Sequence, residues 1–214
     1  MPYIYGKIIN KFINLIITKK NFMFIQTEQT PNPATLKFIA DGHIITEAGN
    51  FEFKNQQQAV SKSPLALQLF EIKAIESIFI ARDFITITKN DDTDWKAIKT
   101  EIIATIIDFI VGNKPIIFAD ATNDSNDSNS INENDSEIVK QIKELLDIKV
   151  RPAVAMDGGD IIFHSFEDGI VKLILKGSCS GCPSSTITLK SGVEQMLKHY
   201  IPEIIAVEQV TDDE

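Results

Sequence analysis

The sequence predicts an α+β protein: two small α+β domains joined by a disordered polar linker. Three observations carry that expectation. Residues 119–136 read Ala-Asp-Ala-Thr-Asn-Asp-Ser-Asn-Asp-Ser-Asn-Ser-Ile-Asn-Glu-Asn-Asp-Ser, with almost nothing apolar to offset the entropy of ordering. On either side, short apolar runs of period two alternate with longer runs at helical spacing. The 214 residues are 43% hydrophobic, enough for one sizeable core or two small ones, and the linker selects two. The expected boundaries are an N-terminal extension at 1–22, a domain at 23–118, the linker at 119–136 and a second domain at 137–214.

In the first domain, Phe24-Ile25-Gln26-Thr27-Glu28 reads as a strand, and Thr30-Pro31-Asn32-Pro33 is a turn by its chemistry. Leu36-Lys37-Phe38 and Phe51-Glu52-Phe53 are short alternating strands. Ser63 is placed as N-cap and Pro64 at the first position of a helix carrying Leu65, Leu67, Leu69 and Phe70. Ile75 to Ile80 and Phe84 to Thr88 flank Ala81-Arg82-Asp83 as a hairpin. Trp95, Ile98, Ile102, Ile106 and Ile110 then mark a helix ended by Gly112. This domain has no cysteine, no glycine-rich phosphate loop and no plausible triad, so no chemistry is expected of it.

The second domain opens at Ser136, with Ile138, Ile142, Leu145 and Leu146 on one helical face. Arg151-Pro152 reads as the stop of that helix, because the residue before proline is pushed out of the α region. Asp157-Gly158-Gly159-Asp160 reads as a tight turn between elements, with neither aspartate a ligand. Val171, Leu173 and Leu175 form a half-buried strand, and Leu189, Val193, Met196, Leu197 and Tyr200 a helical stripe.

Between that strand and that helix lie the only two cysteines, in Cys179-Ser180-Gly181-Cys182-Pro183. Free N–H groups and the positive end of the helix dipole are expected to favour thiolate there, the form that binds a metal or attacks a disulfide. Iron–sulfur clusters usually take four thiolates and a structural zinc takes four ligands, but this chain offers two sulfurs. The remainder would come from His43, His164 or His199, from a second copy of the chain, or from nowhere if the pair is a redox dithiol. His199 lies at the far end of a helix of ~25 Å and cannot easily fold back; one histidine at position 164 still leaves a site short. Two chains giving one pair each around a two-fold axis supply four sulfurs most economically. On spacing alone, metal binding and a thioredoxin-like dithiol weigh about evenly.

A formal net charge of −9 argues against nucleic acid as main partner, and Lys172, Lys176, Lys190 and Lys198 are scattered over a solvated surface. Two cysteines make no secreted disulfide framework. Residues 1–22 hold Lys7, Lys11, Lys19 and Lys20 among Ile8, Ile9, Phe12, Ile13, Leu15, Ile16 and Ile17. They lack a small-residue cleavage site, are too short of apolar length to span a bilayer, and are poor in Arg and Ser. Met23 is therefore expected as the working initiator, with a membrane-surface helix as the alternative and no stable membrane insertion. The expected location is a bacterial cytoplasm, with the mitochondrial matrix as alternative.

The succession Arg151-Pro152-Ala153-Val154-Ala155-Met156-Asp157-Gly158-Gly159-Asp160-Ile161, then Gly177-Ser178-Cys179-Ser180-Gly181-Cys182-Pro183-Ser184-Ser185-Thr186, with Leu189-Lys190 following, resembles the C-terminal domain of NifU/Nfu iron–sulfur scaffold and carrier proteins. Residues 24–38, Ser63-Pro64-Leu65-Ala66 and Phe84-Ile85-Thr86-Ile87-Thr88-Lys89 resemble that family's Nfu N-terminal domain. The resemblance implies a non-enzymatic carrier. Cys179 and Cys182 of each of two chains would hold a subunit-bridging [4Fe–4S] cluster, with [2Fe–2S] or zinc as alternatives. It also implies a homodimer through the Cys-x-x-Cys domain, with upstream assembly proteins and apo iron–sulfur recipients as partners. A thioredoxin-like oxidoreductase and a structural zinc adaptor are the competing functions.

Overall fold

The computed structural model describes residues 23–124, 131–132, 134–180 and 183–211. The expected extension at 1–22 and the centre of the expected linker lie outside the described residues. In the first domain, β1 (Ile25–Gln29), β2 (Thr35–Ala40), β3 (Phe51–Phe53), β4 (Ile75–Ile80) and β5 (Phe84–Lys89) form one antiparallel sheet in the order β1-β2-β5-β4-β3. Asn32 Oδ1 accepts from Ala34 N at 3.0 Å, closing the predicted turn between β1 and β2. Helix α1 (Gln56–Ala59), capped by Asn55, is a single turn that the apolar pattern does not signal. Helix α2 (Pro64–Leu69) has the predicted cap: Ser63 Oγ accepts from Ala66 N at 3.1 Å and donates to Ile116 O at 2.6 Å. Helix α3 (Trp95–Val111) buries Ile98, Ile102, Ile106 and Phe109. It ends with Asn113, rather than Gly112, at positive φ (48°), and Lys114 N reaches Phe109 O as in a Schellman turn.

Strand alternation gives this sheet two distinct faces. Leu36, Phe38, Ile78, Ile80, Ile85 and Ile87 point to one side and pack with Leu65, Leu69, Ile102 and Ile106 of the helices. The opposite side carries Lys37, Ile39, Phe79, Phe84 and Thr86, and it is also covered. Cross-strand register aligns Glu28, Lys37, Thr86, Phe79 and Glu52 in one row across all five strands. The second domain sits on that row.

The second domain starts with α4 (Glu137–Leu145), capped by Ser136, and continues through a π-helical turn at Leu146–Val150 into α5 (Arg151–Met156). The expected stop at Arg151-Pro152 is therefore corrected. Arg151 is helical (φ −54°, ψ −42°), and the wider π turn before it accommodates a proline that offers no N–H to the helical ladder. The helix stops instead where Gly158 takes φ +84°, a left-handed residue after the C-cap Asp157. Then follow β6 (Gly159–Glu167), β7 (Ile170–Gly177), α6 (Pro183–Tyr200) and β8 (Ala206–Gln209). The sheet order is β6-β7-β8, antiparallel between β6 and β7 and parallel between β7 and β8. Val171, Leu173 and Leu175 alternate inward as predicted and meet Ile142, Leu146, Val193 and Leu197. The cysteine segment thus lies within one β7–α6–β8 unit, but a sheet of three strands has fewer alternating elements than the redox reading needs.

Residues 119–124, the start of the expected linker, form a 3₁₀ helix with Ala121 buried. Among the described residues no helix is long and apolar enough to cross a membrane. Leu197→Ala should lower stability by about 2–5 kcal/mol in urea unfolding, since Leu197 is 0% exposed. Tyr200→Ala, on the same predicted stripe but 50% exposed, should cost well under that. A second measurement concerns Asp135, whose carboxyl is held below its ordinary value of 3.8, chiefly by the 2.8 Å bond from the buried Lys143 ammonium. A depressed carboxylate stabilises the fold above its unfolded pKa and loses that contribution as pH falls through the folded one. The stability gap between wild type and Asp135→Asn should accordingly be full at pH 5 and shrink as the pH is taken below 3.8.

Candidate functional site

Two turns meet where the domains touch. The first is Asp157–Asp160, leaving α5; the second is Gly177–Ser180, leaving β7. Ser178 N donates to Gly158 O at 3.2 Å and Ser178 Oγ to Asp157 O at 2.5 Å. Ser180 closes its own turn through N and Oγ onto Gly177 O, at 3.2 and 2.8 Å. Gly177 has φ +68°, and a Cβ there would lie 2.6 Å from Gly158 O. A Cβ on Gly159 would lie 2.9 Å from Cys179 Sγ, so that glycine leaves the space the sulfur fills.

Cys179 is 6% exposed and packs into the second domain's core with Ile142, Leu175 and Val193. The expectation of a stabilised thiolate is corrected for this residue. Burial pushes the thiol above its ordinary value of 9.0, against the hydrogen bond with Ser178, and the charges of Asp157 and Asp160 add smaller pushes upward. The sulfur lies upstream of α6 but faces inward, into the core of its own domain. Cys182, the other predicted ligand, lies outside the described residues. None of the three histidines joins Cys179. His43 Nδ1 is 2.9 Å from Asp41 O, His164 Nδ1 is 3.4 Å from Ser165 Oγ, and the His199 ring stands edge-on to Tyr200. Among the described residues no group of three His, Cys, Asp or Glu side chains could hold a metal ion.

The Asp157–Asp160 turn does more than reverse the chain. Gly158 supplies the predicted positive φ, whereas Asp160 is a carboxylate 4% exposed. It accepts from Arg151 Nε and Nη2 at 2.9 and 3.0 Å, from Ile161 N at 2.8 Å and from Asn50 Nδ2 of the first domain at 2.7 Å. A bidentate arginine and two further donors are what a buried carboxylate requires. A cleft of about 380 Å³ lined by Asn50, Arg82, Asp147, Arg151 and Asp160 opens beside this pair; Cys179 does not line it.

The sequence reading missed the partners that the first domain sends to these turns. Lys37 Nζ donates to Ala155 O and Met156 O at 2.8 and 3.2 Å, capping the carbonyl end of α5. Thr86 Oγ1 donates to Gly158 O at 2.9 Å. Glu52 Oε1 accepts from Gly177 N at 2.9 Å and Ser180 Oγ at 3.2 Å. Burial raises the Glu52 carboxyl above its ordinary value, against the Gly177 N–H and the charges of Lys54 and Lys176. The available signal was polar residues at alternate positions of strands that the apolar pattern made half-exposed.

Known proteins agree with this division. Residues 25–113 match the family described as scaffold protein Nfu/NifU N terminal, and residues 142–208 match the NifU-like domain. The human protein named NFU1 iron-sulfur cluster scaffold homolog, mitochondrial, is 50% identical over 90% of this chain and 74% of its own length. Its namesake in Drosophila willistoni is 46% identical over 93% and 68%. NifU-like protein 4, mitochondrial, of Arabidopsis thaliana is 43% identical over 100% and 75%. A solution structure of a NifU-like protein from Saccharomyces cerevisiae has 28% identity and a TM-score of 0.43, over 48% of this chain and 91% of that one. The expected bacterial cytoplasm is overturned by these relatives, which are named as mitochondrial in an animal, an insect and a plant. With both domain matches in order and 50% identity to the human relative over 90% of its length, the chain belongs to the two-domain Nfu family of NifU-like scaffold proteins.

Proposed function

We propose that this protein is an iron–sulfur cluster scaffold and carrier of the mitochondrial matrix. Cys179 and Cys182 from each of two chains hold one [4Fe–4S] cluster at the interface of a homodimer and release it to apo-proteins. The cluster is cargo rather than a resident cofactor. The observation that carries the reading is the ligand arithmetic: two sulfurs per chain, and among the described residues no group of three His, Cys, Asp or Glu side chains that could hold a metal ion. Thiolate sulfur is the donor that iron–sulfur clusters select, and a pair on each side of a two-fold axis completes a set of four. The names of the relatives, as iron–sulfur scaffolds in mitochondria, support the same reading.

The working unit is residues 137–214, with residues 23–118 as a separate domain and 119–136 between them. Upstream assembly proteins load the site and apo recipients empty it. A shared site at a subunit boundary suits both steps, because separating the chains removes half the ligands at once. The thioredoxin-like reading is disfavoured by the fold, because the three-stranded sheet β6-β7-β8 has fewer alternating strands and helices than that reading needs.

Anaerobic reconstitution of the full chain with iron and sulfide should give about four of each per dimer, the content of a cubane. A full cluster on a monomer, or zinc without sulfide, would sink this assignment; two irons per dimer would replace the cubane by a rhombic cluster. Cys179→Ser and Cys182→Ser should each abolish cluster retention to the same degree, read by visible absorption after desalting. Unequal losses, or turnover of a test disulfide by the metal-free monomer, would favour the dithiol chemistry instead, where one sulfur attacks and the other resolves.

A further inference from the structure

The cluster reading leaves one contradiction. The sulfur that must reach an ion shared with another chain is turned into the core of its own. What fixes it there is the turn Gly177–Ser180, and that turn is gripped from outside its domain. Glu52 Oε1 takes the backbone N–H of Gly177, two residues before Cys179, and the hydroxyl of Ser180, immediately after it. One carboxylate oxygen therefore bridges the residues that flank the Ser178-Cys179 pair.

We propose that Glu52 is a positioning residue through which the N-terminal domain latches the cysteine turn closed, with the Cys179 thiol inward, and that the latch must open before a cluster can be loaded. The need for opening rests on the cluster reading above; the latch itself does not.

The geometry around Glu52 makes its grip specific. Phe51 and Phe53 on either side are buried in the first domain's core, which fixes the strand and aims the intervening side chain at the opposite face. Next to Glu52 in the cross-strand row stands Phe79, whose ring lies 3.1 Å from where a Cβ on Gly177 would be. The cysteine turn thus meets a ring that fills the space and an oxygen that takes its donors. Further along the row, Thr86 and Lys37 hold Gly158, Ala155 and Met156. Turning Cys179 outward requires Gly177 and Ser180 to rotate, which breaks both bonds to Glu52. Gly177, at φ +68° at the base of this turn, holds a backbone conformation that side-chain-bearing residues rarely adopt. Coupling of this kind is reciprocal: whatever holds the turn open, a bound cluster included, weakens the seat of the N-terminal domain by the same factor.

The test is the alkylation rate of Cys179 in the reduced, metal-free full chain with iodoacetamide, read peptide by peptide in a mass spectrometer. Loss of a bond to a charged acceptor should raise that rate about tenfold in Glu52→Ala. Glu52→Asp should behave the same way, because it keeps the charge but falls one methylene short of Gly177. Glu52→Gln retains an acceptor oxygen at full length and should stay within about twofold of wild type. Amide exchange at Gly177 should accelerate with the alkylation, while that of Ile142 in the core stays protected. Where alanine prevents folding, the aspartate variant carries the comparison. Wild-type alkylation rates in both short variants, or a glutamine variant as fast as alanine, would overturn the latch. Because no cluster is needed, faster alkylation in Glu52→Ala together with a wild-type chain that never retains iron on reconstitution would leave the latch standing and remove the scaffold reading.

Discussion

A sheet has two faces, and the helices of the first domain cover only one. The row Glu28, Lys37, Thr86, Phe79 and Glu52 runs across the other face, and the second domain's position follows from it. Burying such a row against another surface strands polar groups unless each finds a partner. Here the partners are main-chain groups: the last carbonyls of α5, the carbonyl of Gly158 and the amide of Gly177. These belong to the end of a helix and to two tight turns, where secondary structure leaves donors and acceptors free. Each domain meets the other's unmet hydrogen-bonding demand. An apolar cluster at the same junction holds Phe79, Ala81 and Phe84, with Ile39 and Ala155 packed against them.

Asp160 ties the same junction from the other side. Its carboxylate is shared among Arg151, its neighbour's amide and Asn50 of the first domain, so the pair links helix, strand and partner domain through one group. Removing one partner from such a set leaves a charge without its match in a dry place, which costs more than the bond itself. This arrangement also explains why the helix runs through Arg151-Pro152. The guanidinium has to sit on the last helical segment to reach Asp160 just past the turn.

Much of this was legible in the sequence where one local rule governs. Val171, Leu173 and Leu175 alternate because one face of β7 is buried; Ser63-Pro64 starts a helix because a hydroxyl cap and a missing N–H both suit that place. Errors arose where tertiary context overrode a local preference. Pro152 ought to end a helix, but a π turn absorbed it. Cys179 precedes a helix, but its side chain faces the core, and burial raises its thiol above the ordinary value. Lys37, Glu52 and Thr86 look like the wet positions of alternating strands. Only the presence of a second domain makes those positions an interface, and no period within a strand carries that information.

Gly158 concentrates the whole junction in one missing side chain. Its φ of +84° ends α5, and the Cγ2 of Thr86 lies 2.6 Å from where a Cβ would stand. The same absent methyl therefore satisfies a backbone requirement and a docking requirement. Intramolecular fit and local stereochemistry are written at one codon, and no substitution can adjust one without disturbing the other. A chain that drifted at this position would lose its turn and its domain pairing together, so the two have to be inherited as a single character.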